Sequence, residues 1–331
     1  MDYKNLSKTI IISICLLLSS CNKLDNYLIS GNAFGSVYFV QIQSKKVVNR
    51  DEIQKNIENI IYNIDIIASN YSDNSEISKF NSSDTTKFVF VSHHLYKILE
   101  KSSQISRLTN GYFDITIGDI KIKKGFYINQ RDYIKGEKRN FTYKDVFLSK
   151  ERRAIRKSRK NINIDLSGIA KGYSVDLIAN YLKSININDF IINIGGEIKV
   201  SKENSNEVVK ISIDDPSQNK QTIEDIFLKN NAVATSGTYQ DFVKYKGKEI
   251  SHIINPKNLE NISDLSLLVT VVHENCATAD ALATGLIAME DAEIINFANR
   301  HSIALMYVKK HDGNLEKKFS KEFIKYLSEE Y

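Results

Sequence analysis

A predicted β-strand gives way to a predicted helix in the stretch Asp165-Leu166-Ser167-Gly168-Ile169-Ala170-Lys171-Gly172-Tyr173. The strand ends at Asp165, and the helix covers about Ala170 to Ser184, with its start near Gly168. Ser167 is a candidate N-cap. The junction therefore has the local order of strand, turn and helix.

The turn of this junction has the features of an anion site. Backbone N–H groups at a helix N-terminus attract negative charge, and Lys171 lies in the first turn, where its ammonium group would reach the same anion. An ordinary helix start capped by Ser167 explains the same residues. The stretch alone leaves phosphate binding and plain capping equally open.

The segments on both sides mix strands and helices without a regular βαβ alternation. Other predicted helices are Asp51 to Ile67, His94 to Ser106 and Thr278 to Met289. Predicted strands are Ala33 to Ile42, Val146 to Asn163 as a strand or hairpin, Phe190 to Ile194, Val208 to Ile213, Ala232 to Thr235, Asp241 to Tyr245 with a Ser-Gly turn before it, Leu267 to Val272, and a final strand Ile303 to Val308. This pattern predicts an α+β fold and argues against a doubly wound sheet. Without a repeat or a low-complexity linker, a single catalytic unit is the simpler prediction.

The first 21 residues have the pattern of a lipoprotein signal. Lys4 and Lys8 precede the apolar run Ile10 to Leu18, which is too short to span a bilayer. Small residues then lead to Cys21, as a lipoprotein signal peptidase requires. An ordinary signal peptide with an incidental cysteine is the alternative. We expect a signal peptide over 1–20, a lipid-anchored tether over 21–33, and a chain held at the inner or outer membrane of the cell envelope, facing the periplasm or the exterior.

The charge and the cysteine content argue against a disulfide-bonded protein and against a nucleic-acid-binding protein. Cys276 is the one cysteine left beyond the predicted lipidation site, so no intramolecular disulfide is expected, and a small buried side chain is the favoured interpretation. The net charge of the chain is only +5. A basic run lacks the interleaved aromatics of a nucleic-acid patch, so a solvated hairpin or a contact with anionic headgroups is favoured. The run comprises Lys150, Arg152, Arg153, Arg156, Lys157, Arg159 and Lys160.

Two glycine-containing loops follow later strands. In Asn193-Ile194-Gly195-Gly196-Glu197 the glycines would let a ligand approach the backbone, although a tight turn is the simpler interpretation. The loops Ala234 to Tyr239 and Ser251 to Pro256 are rich in small hydroxyl residues. A lone histidine is usually structural, but His252 in the second loop is also the best candidate for a general base.

A metal site is suggested by the helix from about Thr278. Asp280 and Thr284 are four residues apart and share one helix face. A carboxylate and a hydroxyl are hard oxygen ligands, which suit Mg²⁺. A simple hydrogen bond between residues i and i+4 remains the alternative.

Together these segments resemble the ApbE family of FAD:protein FMN transferases. The resemblance covers nearly the whole mature chain, and eight individually weak motifs stand in family order. They are Gly31 to Ser36, Tyr71 with Ser75 to Asn81, Thr109 to Asp114, Asp165 to Asp176, Asn193 to Ile198, Thr235 to Tyr239, Ser251 to Pro256, and Ala279 to Gly285. It implies a mixed α+β fold with largely antiparallel sheets and packed helices, over residues 34–331.

The resemblance also implies roles for individual residues. The FAD site would be lined by Phe34, Tyr71, Tyr112, Phe113, Asp114, Asp165, Lys171 and Ile254. Asp280 and Thr284 would hold Mg²⁺ by side chains, and Gly168 and Ala283 would add backbone carbonyls. His252 would take the proton of the attacking threonine, which comes from a partner protein, a subunit of a membrane redox pump or another exported flavoprotein.

The chain departs from the family pattern after Asp114. Ile115-Thr116-Ile117-Gly118 stands where a proline and an apolar stretch ending in Trp-Gly-Phe are usual, and the segment up to Asn163 is short. Ala33 replaces the usual first threonine of the opening motif. The departures affect one wall of the expected site and leave the proposed metal ligands intact.

The resulting hypothesis is Mg²⁺-dependent transfer of FMN from FAD to a protein threonine, with release of AMP. Mg²⁺-dependent hydrolysis of FAD to FMN and AMP is the catalytic alternative. A non-catalytic flavin-binding lipoprotein would need neither Asp280 nor His252. A solute-binding lipoprotein would require two lobes with parallel sheets, which the pattern lacks.

Overall fold

The computed structural model describes residues 25–127, 140–215, 221–238, 242–245, 248–262, 268–311 and 314–329. Its centre is an eight-stranded sheet in which every neighbouring pair is antiparallel, in the order β1-β2-β6-β7-β10-β13-β14-β15. The bounds of its strands are β1 Asp25–Ala33, β2 Ser36–Ser44, β6 Asp189–Ile194, β7 Glu197–Lys202, β10 Ala232–Gly237, β13 Leu268–His273, β14 Ala304–His311 and β15 Asn314–Phe319.

Three small sheets accompany it in the described part of the chain. One has the order β3-β5-β4, and the others are the hairpins β8-β9 and β11-β12. Their bounds are β3 Val89–Phe90, β4 Val146–Ser149, β5 Ala154–Lys157, β8 Val209–Asp214, β9 Thr222–Leu228, β11 Phe242–Tyr245 and β12 Lys248–Ser251.

The described helices are α1 Arg50–Ala68, α2 Glu76–Ser82, α3 His93–Leu108, α4 Gly118–Lys123, α5 Ala170–Ser184, α6 Cys276–Leu286 and α7 Asp291–Arg300, with 3₁₀ turns at Ile115–Ile117, Tyr143–Asp145 and Lys321–Leu327. Local sequence explains α1 well. The Asn49 side chain accepts the N–H of Glu52 as an N-cap, and isoleucines at helical spacing, such as Ile53, Ile57 and Ile61, bury one face. No described helix has both the length and the hydropathy of a membrane-spanning segment.

Both faces of the main sheet are covered. Helices pack on one face, where α1 and α5 cover the β1-β2-β6 half and α3, α6 and α7 join the core under β10, β13 and β14. The β8-β9 hairpin and the last 3₁₀ turn cover the other face. An α+β fold with antiparallel sheets and packed helices is therefore confirmed.

Three predictions about local structure were wrong. Residues 25–33 of the expected tether form β1, because alternate side chains such as Ile29 and Ala33 are buried against the core. Ser236 and Gly237 are part of β10 and not a turn, because both pair with β13. Ile303 to Val308 is not the final strand, since β15 follows it. The proposed signal peptide, residues 21–24 and Cys21 lie outside the described residues.

Two hairpin turns meet at one end of the main sheet. Phe34 and Gly35 join β1 to β2, and Gly195 and Gly196 join β6 to β7. The N–H of Gly195 donates to the carbonyl of Val37 at 3.2 Å, so the turns are neighbours. At the same end β10 continues beyond its pairing with the start of β7. The candidate site lies here, where α5 and α6 also meet.

Candidate active site

Helices α5 and α6 touch backbone to backbone at Gly172. A Cβ added to Gly172 would lie 2.5 Å from the carbonyl oxygen of Cys276 and 2.9 Å from the Cα of Ala277. Asp176 strengthens the contact, because its two carboxylate oxygens accept the backbone N–H groups of Cys276 and Ala277, each at 2.9 Å. We call this the α5–α6 contact, and it brings the Asp165–Tyr173 motif against the motif around Asp280.

Asp280 lies at the centre of the α5–α6 contact. Its side chain is 4% exposed, and Oδ2 accepts the backbone N–H of Gly172 at 3.0 Å. Within the described chain no donor reaches Oδ1. Burial raises the pKa of Asp280 to about 6, while the nearby Lys171 ammonium opposes the shift. A largely buried carboxylate that uses one oxygen for a backbone hydrogen bond has the other oxygen available for a cationic ligand.

Lys171 joins this carboxylate to Glu197. Lys171 Nζ lies 2.9 Å from Glu197 Oε2, and the Lys171 side chain is 31% exposed while that of Glu197 is 4% exposed. Burial raises the pKa of Glu197, Asp280 adds to the rise, and Lys171 opposes it. Two buried carboxylates therefore share one lysine whose side chain is partly exposed.

Thr284 lies one turn after Asp280 on α6 and faces Gly168. A Cβ on Gly168 would lie 2.9 Å from Thr284 Oγ1, so glycine allows the backbone before α5 to approach the hydroxyl. Ser236 on β10 reaches the same hydroxyl, with its Oγ 3.3 Å from Thr284 Oγ1. Asp280 bonds to Gly172 of α5 and Thr284 to Ser236 of β10. A hydrogen bond between Asp280 and Thr284 is not formed.

These residues fit a hard divalent cation in their chemistry. Asp280 and Thr284 supply a carboxylate and a hydroxyl on one helix face, and Gly168 brings its backbone beside them. The Ala283 carbonyl accepts the N–H of Ile287 at 3.2 Å, which leaves its second lone pair for a ligand. In the described segments no three His, Cys, Asp or Glu side chains are grouped as a metal site. A cation here would accordingly rely on few protein ligands, as is usual for Mg²⁺.

Asp165 is held by a lysine and a tyrosine. Lys121 Nζ lies 2.6 Å from Asp165 Oδ2, and the Tyr127 hydroxyl donates to the same oxygen at 2.8 Å. Burial by itself would raise the pKa of Asp165, but Lys121 and the N–H of Ser167 reverse this, so the pKa is lowered. The Tyr71 ring meets the Tyr127 ring edge-on at 5.0 Å. Tyr71 and Asp165 are thus connected through Tyr127.

The backbone around Asp165 is fixed by two asparagines. Asn81 exchanges hydrogen bonds of 2.8 Å with both backbone groups of Ile164, and Asn70 donates to the same Ile164 carbonyl at 2.7 Å. The expected N-cap Ser167 was wrong, because α5 begins at Ala170 without a capping side chain. The first N–H groups of the helix bond to the Leu166 carbonyl instead.

Phe34 occupies a conformation that is rare for an aromatic residue. Its φ of 51° and the φ of 76° at Gly35 place both turn residues in the left-handed region, which suits a tight hairpin of type I′. A non-glycine residue there is strained, and such strain concentrates at functional sites. Phe34 packs against both helical cores, next to the Gly195 turn.

The segment Tyr112 to Asp114 lies against α6. A Cβ on Gly285 would lie 2.7 Å from the Cβ of Phe113, so this glycine lets the segment approach the helix. Phe113 and Asp114 are buried, while Tyr112 is half-buried with Lys257 Nζ 5.2 Å from its ring centroid. Asp114 accepts from Thr116 and starts a 3₁₀ turn.

His252 and Ile254 lie on the loop after β12. His252 is half-buried, and Ile254 is buried and forms an isolated bridge with Asn261. The neighbouring Ile253 belongs to the core that contains Phe113 and much of α6. The packing of Ile253 brings this loop near α6, and in the described part of the chain the recorded hydrogen bond of Asp280 goes to Gly172.

Glu197, Lys121 and Tyr127 belong to the site, although the sequence alone did not indicate them. Glu197 stood at the end of a quoted motif, and its position after two glycines was the available signal. Lys121 and Tyr127 lie in the segment that departs from the family pattern, and no local spacing indicates that either would contact Asp165.

Comparison with known proteins agrees with this architecture. The ApbE family matches residues 34–307. A protein of Vibrio cholerae named FAD:protein FMN transferase is 29% identical over 322 residues, covering 95% of this chain and 96% of its own. A protein of the same name from Chlamydia muridarum is 30% identical, over 83% of this chain and 88% of its own. A solved flavin transferase ApbE from Vibrio cholerae superposes with a TM-score of 0.79 at 27% identity, covering 92% of this chain and 100% of that one. The chain belongs to the ApbE family.

Proposed function

We propose that this chain is an FAD:protein FMN transferase that moves the FMN half of FAD onto a threonine of another protein and releases AMP. The observation that carries the proposal is the meeting of Lys171, Asp280 and Thr284 at the α5–α6 contact. This meeting places an accessible cation beside hard oxygen ligands. The names of the relatives supply the reaction class.

The transfer is a displacement at phosphorus. The threonine hydroxyl oxygen of the acceptor bonds to the phosphorus of the FMN half, and the bond from that phosphorus to the AMP oxygen breaks. AMP leaves with the electron pair of that bond. We assign His252 to take the hydroxyl proton, since it is half-buried on a loop at the α6 side and imidazole titrates near neutral pH.

The proposed Mg²⁺ ligands are the side chains of Asp280 and Thr284 and the carbonyls of Gly168 and Ala283. When bound, the ion supplies positive charge that stabilises the developing charge on the pyrophosphate. Lys171 contributes a second positive charge at the same place. The hydrogen bond from Gly172 to Asp280 orients the carboxylate, because the donor lies on the first turn of α5.

The proposed flavin-binding residues fall into groups that differ in their exposure and in the observation that supports each. Phe34 and Tyr112 are partly exposed beside the helical core, and Tyr71 is 71% exposed, so their rings are accessible to a flat ligand. Phe113, Asp114 and Ile254 are buried, so they would shape the site from below. Asp165 would act through its network with Lys121 and Tyr127.

The cellular setting is also proposed. Lipid on Cys21 would hold the enzyme at a membrane of the cell envelope, and the acceptor would be an exported flavoprotein or a subunit of a membrane redox pump. The support is the signal pattern ending in Leu18-Ser19-Ser20-Cys21. Labelling growing cells with a radioactive fatty acid would detect this modification, and Cys21→Ala should remove the label.

The decisive experiment mixes the chain from residue 22 with FAD, Mg²⁺ and a flavinylation-acceptor domain. A protein band that stays fluorescent after denaturation is expected, and an acceptor with its target threonine changed to alanine should give none. Asp280→Ala should lower turnover roughly 1,000-fold, because it removes the buried carboxylate. Asp225→Ala, an exposed carboxylate on β9, is the matched control and should retain full activity.

The other outcomes discriminate among functions. FAD converted to FMN and AMP without a fluorescent band would favour the hydrolase. Tight FAD binding without turnover would favour a flavin carrier. Full activity of Asp280→Ala would show that the metal assignment is wrong.

A further inference from the structure

The outer face of the small β3-β5-β4 sheet exposes three phenylalanines. Phe147 pairs with Arg156 and Phe90 with Ala154, so these side chains share one face, while Ile155 points into the core. Phe90 is 77% exposed, Phe88 41% and Phe147 37%. We call this surface the hairpin face; it consists of Phe88, Phe90, Phe147 and Arg156 together with the β4–β5 turn 150–153.

Positive charge surrounds these rings. Residues 144–160 contain eight Lys or Arg and two Asp or Glu, a net charge of +6, whereas the whole chain carries +5. Lys150, Arg152 and Arg153 are exposed in the turn of the hairpin. The Arg156 guanidinium lies 4.3 Å from the ring centroid of Phe147 and 5.4 Å from that of Phe88. Residues 144–160 thus carry more net positive charge than the entire protein.

None of the cations on this face has an acidic partner in the described part of the chain. They are Lys150, Arg152, Arg153 and Arg156. Surface lysines elsewhere do pair, as in Lys183 with Glu203 at 2.6 Å and Lys210 with Asp225 at 3.2 Å. The neighbouring Lys157 points inward and donates to the carbonyls of Asn81 and Lys160. Glu151 in the same turn is the one carboxylate among the residues of this face and pairs with none of the four cations, so the face keeps a net positive charge.

We propose that the hairpin face docks on an anionic lipid membrane. Phenylalanine offers no hydrogen bond, and a cluster of exposed rings with surrounding cations suits insertion between anionic headgroups. Arg156 already covers the rings of Phe88 and Phe147, so successive nucleic-acid bases would find few free ring faces. This contact depends neither on lipidation of Cys21 nor on FMN transfer.

The test uses the chain from residue 22 without lipid, which keeps every described element because the first begins at Asp25. Flotation compares vesicles of phosphatidylcholine with vesicles in which about one third is phosphatidylglycerol. The chain is expected to float only with the anionic vesicles, and high salt should release it.

Two triple variants with the same change of charge locate the contact. Lys150→Gln with Arg152→Gln and Arg153→Gln should weaken binding to the anionic vesicles about 100-fold. Lys183→Gln with Lys210→Gln and Lys325→Gln removes three paired lysines elsewhere and should change binding less than about threefold. Phe90→Ser should weaken binding about tenfold, because an exposed ring no longer inserts. Far-UV circular dichroism and FMN transfer to a soluble acceptor should be unchanged in all three.

Three results would overturn the proposal. The first is no flotation with anionic vesicles, and the second is equal loss of binding in both triple variants. In the third, a single-stranded oligonucleotide or the acceptor protein binds more tightly than the vesicles and loses affinity in the same hairpin variants, which would make that molecule the occupant.

Discussion

The α5–α6 contact and the hairpin face differ in whether their charged side chains have partners within the protein. At the contact, Asp176 and Asp280 bond to backbone N–H groups and Glu197 pairs with Lys171, all within the same small volume. On the hairpin face, Arg156 lies over phenylalanine rings, and none of the four cations forms an ion pair within the described part of the chain. Internal pairing fixes geometry, whereas unpaired surface charge is left for an external partner. The paired charges hold elements of the protein together, whereas the unpaired charges are available to another molecule.

We expect the largest loss of stability from a substitution that disrupts the α5–α6 contact. Gly172→Ala places a Cβ 2.5 Å from a backbone oxygen, and a backbone atom in a packed helix has no easy way to move. We expect the free energy of unfolding to fall by about 3 kcal/mol. Asn180→Ala, exposed on the same helix, is the control and should be neutral in urea denaturation. A loss below about 0.5 kcal/mol for Gly172→Ala would mean that the helices can separate freely.

Two cations at and next to β5 differ in whether the protein pairs them. Lys157 is fully buried, with hydrogen bonds to carbonyls, and Arg152 is exposed near the same strand. Lys157→Ala should lower the free energy of unfolding by about 2 kcal/mol, because charge-assisted hydrogen bonds are lost. Arg152→Ala should stay within about 0.5 kcal/mol. If thermal unfolding showed the same loss of stability for Lys157→Ala and Arg152→Ala, the hydrogen bonds of Lys157 would not contribute to stability as expected.

The smallest expected effect concerns pH. Burial lowers the pKa of His273, and its Nδ1 accepts the N–H of Asn275, the N-cap of α6. Below the unfolded pKa of about 6.5 the unfolded chain binds a proton that the folded imidazole resists, so stability should fall as pH drops. We expect the free energy of unfolding to be lower at about pH 5 than at about pH 7.

His273→Gln tests the origin of that slope, and the exposed His301→Gln is the matched control. Urea denaturation at several pH values should show a flatter dependence for His273→Gln only. The same slope in both variants would assign the effect to other groups, such as His94, whose pKa burial also lowers.

Local patterns predicted the parts of this fold that local interactions control. Helix Ala170–Ser184 was predicted with the observed bounds, and the shared face of Asp280 and Thr284 followed from helix geometry. Strand β1 was missed because an edge strand exposes one face and its sequence is polar.

Local sequence patterns could not predict which residues pair across the tertiary structure. Glu197 meets Lys171 only because a β-turn and a helix start converge at the end of the sheet. Lys121 reaches Asp165 across more than forty residues of chain, through a segment without a recognisable pattern. Ser236 and Gly237 were read as a turn from their residue types, but close packing against Thr284 explains a small side chain inside a strand.

The central position of β6 has a consequence for the order of folding. Strand β2 pairs with β6, so Tyr38 to Gln43 meet partners between Asp189 and Ile194. During synthesis the β1-β2 hairpin is therefore complete long before its partner strand leaves the ribosome. The apolar side chains of β2, including Val40 and Ile42, have no neighbouring strand on that edge until then. Pairing between strands that are distant in sequence slows folding and leaves an unpaired, aggregation-prone strand edge exposed. We therefore expect chaperones to protect the nascent chain at this stage.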